Sequence, residues 1–133
     1  MSERIGVDTN VLLRGLLGDD GGQLARATRI LETEPSTEVF VNCVVLAELF
    51  WNLRAVENVP RARIVEALEG LLSTQGFAFE NETAVEAALR DYRDGLGDFS
   101  DRLIARINEA HGASQTFTFD RKAARHPPLA LVP

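Results

Sequence analysis

The sequence predicts an α/β fold with three layers, in which helices cover both faces of a central parallel sheet of four to five short strands. Short β-branched or aromatic runs alternate with longer segments whose apolar residues recur at helical spacing. This alternation is typical of βαβ units, which make neighbouring strands parallel and place helices on the faces of the sheet. No repeat or linker divides the 133 residues, so we expect a single domain over residues 1–133.

In the first half of the chain, three apolar runs predict strands. The run 4–7 is broken by Asp8-Thr9-Asn10 before an apolar helical segment, which is the pattern of strand, polar turn and helix. Residues 39–41 and 77–79 are short β-branched or aromatic runs, and Pro60 stands where proline is favoured, in the first turn of a helix. Four helices are predicted in this half. Two of them span 11–17 and 45–56. A third follows a turn at 18–22 and carries Leu24, Ala27, Thr28 and Leu31 on one face, and a fourth follows Pro60 and carries Ile64, Val65, Leu68, Leu71 and Leu72 on one face.

In the second half, helical spacing predicts two longer helices, and alternating residues predict a strand over 115–119 that ends on Asp120. His111-Gly112 is a common signal for the end of a helix, and Pro127-Pro128 breaks a short one. The predicted elements are a helix carrying Val85, Ala88, Leu89 and Tyr92, a helix over 99–110, the strand 115–119, a short helix over 121–126 and an edge strand over 129–132.

The composition excludes some classes of protein and raises one difficulty. No apolar run approaches the roughly 18 residues that a membrane helix needs, so we expect no membrane span. Cys43 is the only cysteine, which excludes an intrachain disulfide and is consistent with a cytoplasmic location. The net charge of −6 has the wrong sign for a basic surface that binds nucleic acid. This difficulty disappears if several carboxylates bind metal ions, because bound cations invert the local field.

Five acidic residues stand at positions where an α/β fold places its active site. Asp8 follows the first strand and Asp120 follows the fourth, and active sites of parallel α/β folds lie beyond the carboxyl ends of the strands. Glu48 is the only charge in an otherwise apolar helix. Asp98 and Asp101 are spaced i, i+3 at the start of another helix, which places them on one face. We therefore expect these carboxylates to converge.

Each acid also has a purely structural interpretation, which the sequence leaves open. Asp8 and Asp98 are good helix caps, Asp101 favours the helix dipole from the first turn, and Asp120 suits a turn. Glu48 either points outward or is buried, and a buried carboxylate needs a partner or a metal ion.

Carboxylate oxygens are hard ligands that suit Mg²⁺ or Mn²⁺, whereas zinc prefers histidine and cysteine. The chain has only two histidines and one cysteine. Clustered carboxylates repel one another, and one or two bound ions relieve that repulsion. Such ions also activate water and stabilise the charge on a phosphodiester under in-line attack. The sequence therefore predicts a metal-dependent nuclease.

Four motifs carry a family resemblance: Val-Asp-Thr-Asn-Val-Leu-Leu-Arg at 7–14, Leu-Ala-Glu-Leu-Phe-Trp at 46–51, Asp-Phe-Ser-Asp-Arg-Leu-Ile-Ala at 98–105 and Thr-Phe-Asp-Arg at 118–121. In order and spacing they resemble the motifs of the PIN-domain ribonucleases, above all the VapC-type toxins of bacterial and archaeal toxin–antitoxin pairs. The resemblance spans nearly the whole chain. It implies a PIN-like three-layer αβα sandwich.

The resemblance also implies roles for individual residues. Asp8, Glu48 and Asp101 look like the ligands of the metal. Asp98 is similar to an additional acidic position of the family, and Asp120 to its last acidic residue. The polar residues that would steady these carboxylates and bound water are Thr9, Asn10 and Thr118.

Arg102 departs from the family pattern, in which a small residue is usual at this position. It is expected to place a bulky cation beside the proposed site. We count Arg102, Arg14 and Arg121 as candidates for contact with the RNA backbone, with solvated surface charge as the alternative for each. Further candidates of the same kind are Arg106, Lys122 and Arg125.

The function implied by the resemblance is Mg²⁺- or Mn²⁺-dependent hydrolysis of RNA by an endoribonuclease with one or two bound ions. The protein would be the toxin of a type II toxin–antitoxin system, restrained by a cognate antitoxin and forming a homodimer in the cytoplasm. Exposed apolar residues on the helix 45–56 and the next one, Trp51 among them, would form a groove for the antitoxin, with core packing as the alternative.

Other proteins also carry aspartates at strand ends, and two such classes are excluded. Response-regulator receivers need a central aspartate and a late lysine, but no aspartate lies between Asp20 and Asp91, and the only lysine is Lys122. Aspartate-nucleophile phosphatases need Asp-x-Asp after the first strand, where this chain has Asn10. A non-catalytic PIN-like interaction module stays open as the alternative.

Overall fold

The computed structural model describes residues 3–18, 29 and 36–133. The chain forms two compact units, residues 1–80 and 81–133.

The first unit contains a three-stranded parallel sheet. Its strands are β1 (Glu3–Gly6), β2 (Thr37–Val41) and β3 (Phe77–Phe79), in the spatial order β1-β2-β3. Ile5 lies opposite Val39, and Phe40 lies opposite Ala78. Because all three strands run in the same direction, the residues that follow them lie at one edge of this sheet.

The described helices of the first unit lie between its strands in sequence. They are α1 (Thr9–Leu17), α2 (Cys43–Trp51), which continues into a π-helical turn at Asn52–Val56, and α3 (Arg61–Leu72). Val39 and Val41 of β2 are buried, as the alternation of a strand requires. The buried helical residues include Leu12, Leu13, Leu46, Leu49, Phe50, Leu53, Ile64 and Leu68.

The second unit consists of a helical hairpin and a small parallel sheet. Helix α4 (Glu82–Arg93) packs against α5 (Phe99–Ala110). Strand β4 (Thr116–Thr118) pairs in parallel with β5 (Leu129–Leu131), and a 3₁₀ turn at 123–125 lies between them in sequence. The buried apolar residues of the two helices are Ala84, Val85, Ala88, Leu89, Tyr92, Phe99, Leu103 and Ala105.

The predicted α/β fold class with parallel strands is confirmed, since every strand pairing among the described residues is parallel. All five predicted strands form within the described residues, as one sheet of three strands and another of two. Hydrophobic runs indicate which segments are strands, but not which strand edges pair. That residues 1–133 form a single domain stays a prediction.

Two predicted helices differ in detail. The segment predicted as a helix over 121–126 forms only a 3₁₀ turn, since Pro127-Pro128 leaves no room for another turn. The helix predicted over 45–56 begins earlier, at Cys43, and loses α-helical geometry after Trp51. The helix predicted from Leu24, Ala27, Thr28 and Leu31 lies outside the described residues, as does most of the turn before it. Among the described residues, no helix combines the length and the apolar character needed to cross a membrane.

Candidate active site

Asp8 lies at the carboxyl edge of the three-stranded sheet, two residues after β1. Its backbone is extended, and its Oδ1 accepts a hydrogen bond of 3.1 Å from the Val11 amide, so Asp8 is the N-cap of α1. The structural interpretation of Asp8 is therefore confirmed. The cap fixes the carboxylate at the sheet edge through one of its oxygens.

Glu48 lies in the middle of α2 and is exposed to solvent. The outward orientation is thus the correct interpretation, and no cost of burying a lone carboxylate arises. The hydroxyl of Thr9 donates a hydrogen bond to Glu48 Oε1 over 3.2 Å. Because Thr9 follows Asp8 directly, this bond places the Glu48 carboxylate against the residue next to Asp8. Asn10 is exposed in the first turn of α1.

The start of α2 is held by two residues that the sequence analysis missed. Asn42 follows β2 and accepts a hydrogen bond of 2.9 Å from the Val45 amide, which makes it the N-cap. Glu80 follows β3, and its Oε1 accepts a bond of 2.8 Å from the Cys43 amide. A negative charge at a helix N-terminus is favourable for the helix dipole. Asn42, standing between a β-branched strand and an apolar helix, could have been identified as a cap from sequence.

In the second unit, Asp98 and Asp101 lie at the start of α5. Asp98 occupies the N-cap position with an extended backbone, but its side chain makes no capping bond to the helix amides. Asp101 lies in the first turn, and both side chains are half-buried. The predicted N-cap position of Asp98 is therefore confirmed, although its side chain makes no capping bond. The charge of Asp101 still stabilises the helix dipole.

Asp120 follows β4 and forms a tight turn. Its Oδ1 accepts hydrogen bonds from the amides of Lys122 at 2.9 Å and Ala123 at 3.1 Å. The amide of Asp120 itself donates to the Thr118 hydroxyl over 3.0 Å. The predicted turn role of Asp120 is confirmed, and Thr118 steadies the backbone that carries the carboxylate.

Arg102 was expected beside the site as an RNA contact, and this prediction is wrong. Its side chain is 0% exposed. Its Nε donates to Asp91 Oδ2 at 3.0 Å, and its two terminal nitrogens donate to the carbonyl oxygens of His126 at 2.8 Å and Pro127 at 2.7 Å. A guanidinium enclosed in this way has neither the surface nor the donors to bind an RNA phosphate. Gly97 lies against its stem, where an added Cβ would come within 3.3 Å of Arg102 Cδ.

Asp91 is the counter-ion of this buried arginine and also binds Arg106. Arg106 donates to Asp91 from Nε at 2.8 Å and from Nη2 at 2.9 Å, and it donates to Glu109 as well. Burial by itself would raise the pKa of Asp91, but the hydrogen bonds from Arg106 and Arg102 outweigh it and hold the pKa below its ordinary value. The same bond to Asp91 raises the pKa of Arg106. Arg106 is thereby committed to an ion pair, which argues against its role as an RNA contact.

The five acids belong to two groups. Asp8 and Glu48 lie in the first unit, where Thr9 next to Asp8 binds Glu48, and Asp98, Asp101 and Asp120 lie in the second. Within the described residues of either unit, no three acidic, histidine or cysteine side chains form a group that could hold a metal ion. The donors are nevertheless carboxylates supported by hydroxyl groups, which is the chemistry that Mg²⁺ and Mn²⁺ prefer. Of the other proposed RNA contacts, Arg14 is half-buried and Arg121 is exposed.

The strands are parallel, and carboxylates lie after β1 and β4, on α2 and at the start of α5. This arrangement is typical of the α/β proteins that carry acidic sites at strand ends. The PIN domain family matches this chain over residues 5–127, which is nearly its whole length, and the chain belongs to that family. PIN domains are generally nucleases, and those nucleases typically use divalent metal ions. No curated protein matches the sequence.

Proposed function

We propose that this protein is a Mg²⁺- or Mn²⁺-dependent endoribonuclease. The observation that carries the proposal is the bond between Thr9 and Glu48, because it joins the residue next to Asp8 to the second predicted ligand. The Thr9 hydroxyl thus connects α1, which Asp8 caps, to the carboxylate of Glu48 on α2. Membership of the PIN family supports the nuclease activity.

The roles of the residues follow from their contacts. Asp8, Glu48 and Asp101 would hold the metal, which supplies a Lewis acid for activating water and for stabilising the charged phosphodiester. Thr9 orients Glu48, and the cap of α1 orients Asp8. The hydrolysis forms a bond from water oxygen to phosphorus and breaks one bond from phosphorus to a ribose oxygen. Asp98 and Asp120 would assist the three ligands. Asn10 and Thr118 would steady the carboxylates of both groups.

Binding of RNA by a chain with a net charge of −6 needs local positive charge. Metal ions at the carboxylates would provide the first part of it. Arg121 and Arg14 are proposed to contact the backbone. Arg121 follows Asp120 directly, so its charge lies beside a proposed assisting carboxylate.

We further propose that the protein is the toxin of a type II toxin–antitoxin pair, acting in the cytoplasm as a homodimer and inhibited by a cognate antitoxin. The support is the order and spacing of the four acidic motifs, which resemble those of VapC-type toxins. Most apolar residues of α2 belong to the core, since Leu46, Leu49 and Phe50 are buried. Induction of the wild-type chain should arrest bacterial growth, and induction of the Asp8→Asn variant should not.

A cleavage assay tests the nuclease proposal. Pure protein is incubated with single-stranded RNA in Mg²⁺, in Mn²⁺ and in EDTA, and cleavage is expected only with a metal. Glu48→Gln should lose at least tenfold in rate, because a neutral amide is a much weaker ligand for a divalent cation. Glu86→Gln, an exposed residue of α4, is the matched control and should cleave like the wild type. A wild-type protein that neither binds divalent metal nor cleaves RNA would instead support the non-catalytic interaction module.

A further inference from the structure

Trp51 is the only tryptophan of the chain and is 58% exposed at the last residue of α2. It does not share the buried face of its helix, which is formed by Val45, Leu46, Leu49 and Phe50. The indole is the largest aromatic side chain available for contact with a ligand, and its flat faces are suited to stacking. An exposed tryptophan on a helix that carries a proposed metal ligand is therefore a candidate for binding.

Trp51 stands three residues after Glu48 on the same α-helix. At this spacing, two side chains are neighbours on the helix surface, with Cβ atoms roughly 5–6 Å apart. Glu48 is itself exposed and accepts the hydrogen bond from Thr9. The indole consequently lies one helical turn from the carboxylate that we propose to hold the metal.

The backbone changes geometry directly after Trp51. Residues 52–56 form a π-helical turn, and the Asn52 side chain donates to the Glu48 carbonyl oxygen at 2.9 Å. Short π-helical segments inside helices are frequently found at functional sites.

The surface around Trp51 is better suited to a nucleotide than to a protein partner. Val44, Glu48 and Trp51 follow one another along the exposed side of α2, with the carboxylate between the two apolar residues. A protein that covered this side would remove water from Glu48, which is costly unless it supplied a partner for the charge. A nucleotide whose phosphate lies at the metal near Glu48 would leave its base free to reach the indole.

We propose that Trp51 stacks against a base of single-stranded RNA next to the phosphate that is cleaved. The inference rests on the proposed function of Glu48. Stacking is tolerant of base identity because every base has a flat π face, so Trp51 strengthens binding to unpaired RNA without specifying its sequence.

The single tryptophan allows a direct measurement on the full chain. A short single-stranded RNA is titrated into the protein while the fluorescence of Trp51 is recorded. The Asp8→Asn variant is used in Mg²⁺ and the wild type in EDTA, because neither combination should cleave the RNA. The matched ligand is a ribose-phosphate oligomer of equal length without bases. RNA should quench the fluorescence, and the abasic oligomer should leave it nearly unchanged, because only a base can stack.

Substitutions test the contribution of the indole to affinity. Trp51→Ala should weaken RNA binding about 5- to 150-fold, corresponding to the roughly 1–3 kcal/mol of one stacked base. Trp51→Phe should retain part of the affinity because it keeps an aromatic face. Leu17→Ala removes another exposed apolar side chain from the first unit and should bind RNA like the parent protein.

Three results would overturn the inference. The first is equal quenching by RNA and the abasic oligomer, and the second is unchanged RNA affinity in Trp51→Ala. The third concerns the accessibility of Trp51 to a soluble quencher in the absence of RNA. If Trp51 becomes better protected from the quencher as the protein concentration rises, this surface serves self-association. Binding is measured apart from cleavage, so a protein that cleaves RNA but gives one of these three results refutes only this inference. A protein that stacks a base but cleaves nothing refutes only the proposed function.

Discussion

Arg102 and Asp91 form a buried ion pair, with Arg102 Nε 3.0 Å from Asp91 Oδ2 and side chains 0% and 8% exposed. The same arginine donates to the carbonyl oxygens of two residues that precede β5. It therefore connects α4, α5 and the C-terminal segment of the second unit through one guanidinium. Asp101, a proposed metal ligand, is the residue immediately before Arg102, so this network fixes the turn of α5 that carries it.

Arg102→Met should destabilise the protein strongly. The substitution keeps an apolar stem of similar length but leaves two carbonyl oxygens without their donors and weakens the pairing of Asp91. Removing one partner of a buried ion pair costs about 3–5 kcal/mol, and we expect the lower end because Arg106 still binds Asp91. The free energy of unfolding in denaturant measures the effect. Arg90→Met, on the exposed side of α4, is the control and should change it by at most about 0.5 kcal/mol. Equal stability of the two variants would show that the network is dispensable.

The contribution of Asp91 to stability should depend on pH. Since its pKa is lower in the folded protein than in the unfolded chain, Asp91 stabilises the fold fully above its unfolded pKa of roughly 3.9. That stability is lost as the pH falls through the lower folded pKa. The difference in unfolding free energy between the wild type and Asp91→Asn should thus be constant near neutral pH and shrink in acid. A difference that grows on acidification would contradict the direction of the shift.

Two substitutions of Asp8 separate its role as a cap from its role as a ligand. Asp8→Asn keeps a good N-cap for α1 and removes only the charge, so stability should change little while metal-dependent cleavage is lost. Asp8→Ala removes the cap as well and should cost an additional roughly 0.5–2 kcal/mol of stability. Thermal unfolding and cleavage rates are measured on both variants. If Asp8→Asn cleaves RNA like the wild type, Asp8 is a structural cap and nothing more.

The Thr9 hydroxyl should matter for the position of Glu48. Thr9→Val keeps the shape and β-branching of the side chain but removes the donor of the 3.2 Å bond. We expect weaker metal binding and slower cleavage, with restoration by Thr9→Ser because serine again supplies a hydroxyl. Metal affinity measured by titration calorimetry distinguishes this role from loss of fold. Identical metal affinity in the valine and serine variants would exclude the positioning role.

Contacts between neighbours in sequence were the predictable part of the site. The N-cap of α1 involves Asp8 and Val11, and the turn of Asp120 involves the next three residues, so the residue types alone indicate both. The alternation of strands and helices likewise predicted the α/β class. These features depend on local backbone geometry, which a short stretch of sequence largely determines.

The Arg102 network could not be predicted in the same way, because its partners are distant in sequence. Asp91 precedes Arg102 by eleven residues, and the accepting carbonyl groups follow it by more than twenty. A signal was nevertheless present. Arg102 stands three residues after Phe99 and one before Leu103, on the apolar stripe of α5, and Asp91 stands three residues after buried Ala88. Two opposite charges on the apolar faces of adjacent helices indicate a buried pair.

Glu80 provides a test of which acids at the edge of the three-stranded sheet are structural. Its carboxylate binds the first amide of α2, and Cys43 Sγ donates to its carbonyl oxygen at 3.3 Å. Glu80→Ala should therefore lower stability by about 1 kcal/mol, as expected for the loss of a helix-capping contact, because the Cys43 amide loses its acceptor. Metal affinity and the cleavage rate should stay at wild-type values at temperatures where the variant is folded, in contrast to Glu48→Gln. A selective loss of metal binding in a stably folded Glu80→Ala protein would mean that Glu80 belongs with Asp8 and Glu48 as a ligand.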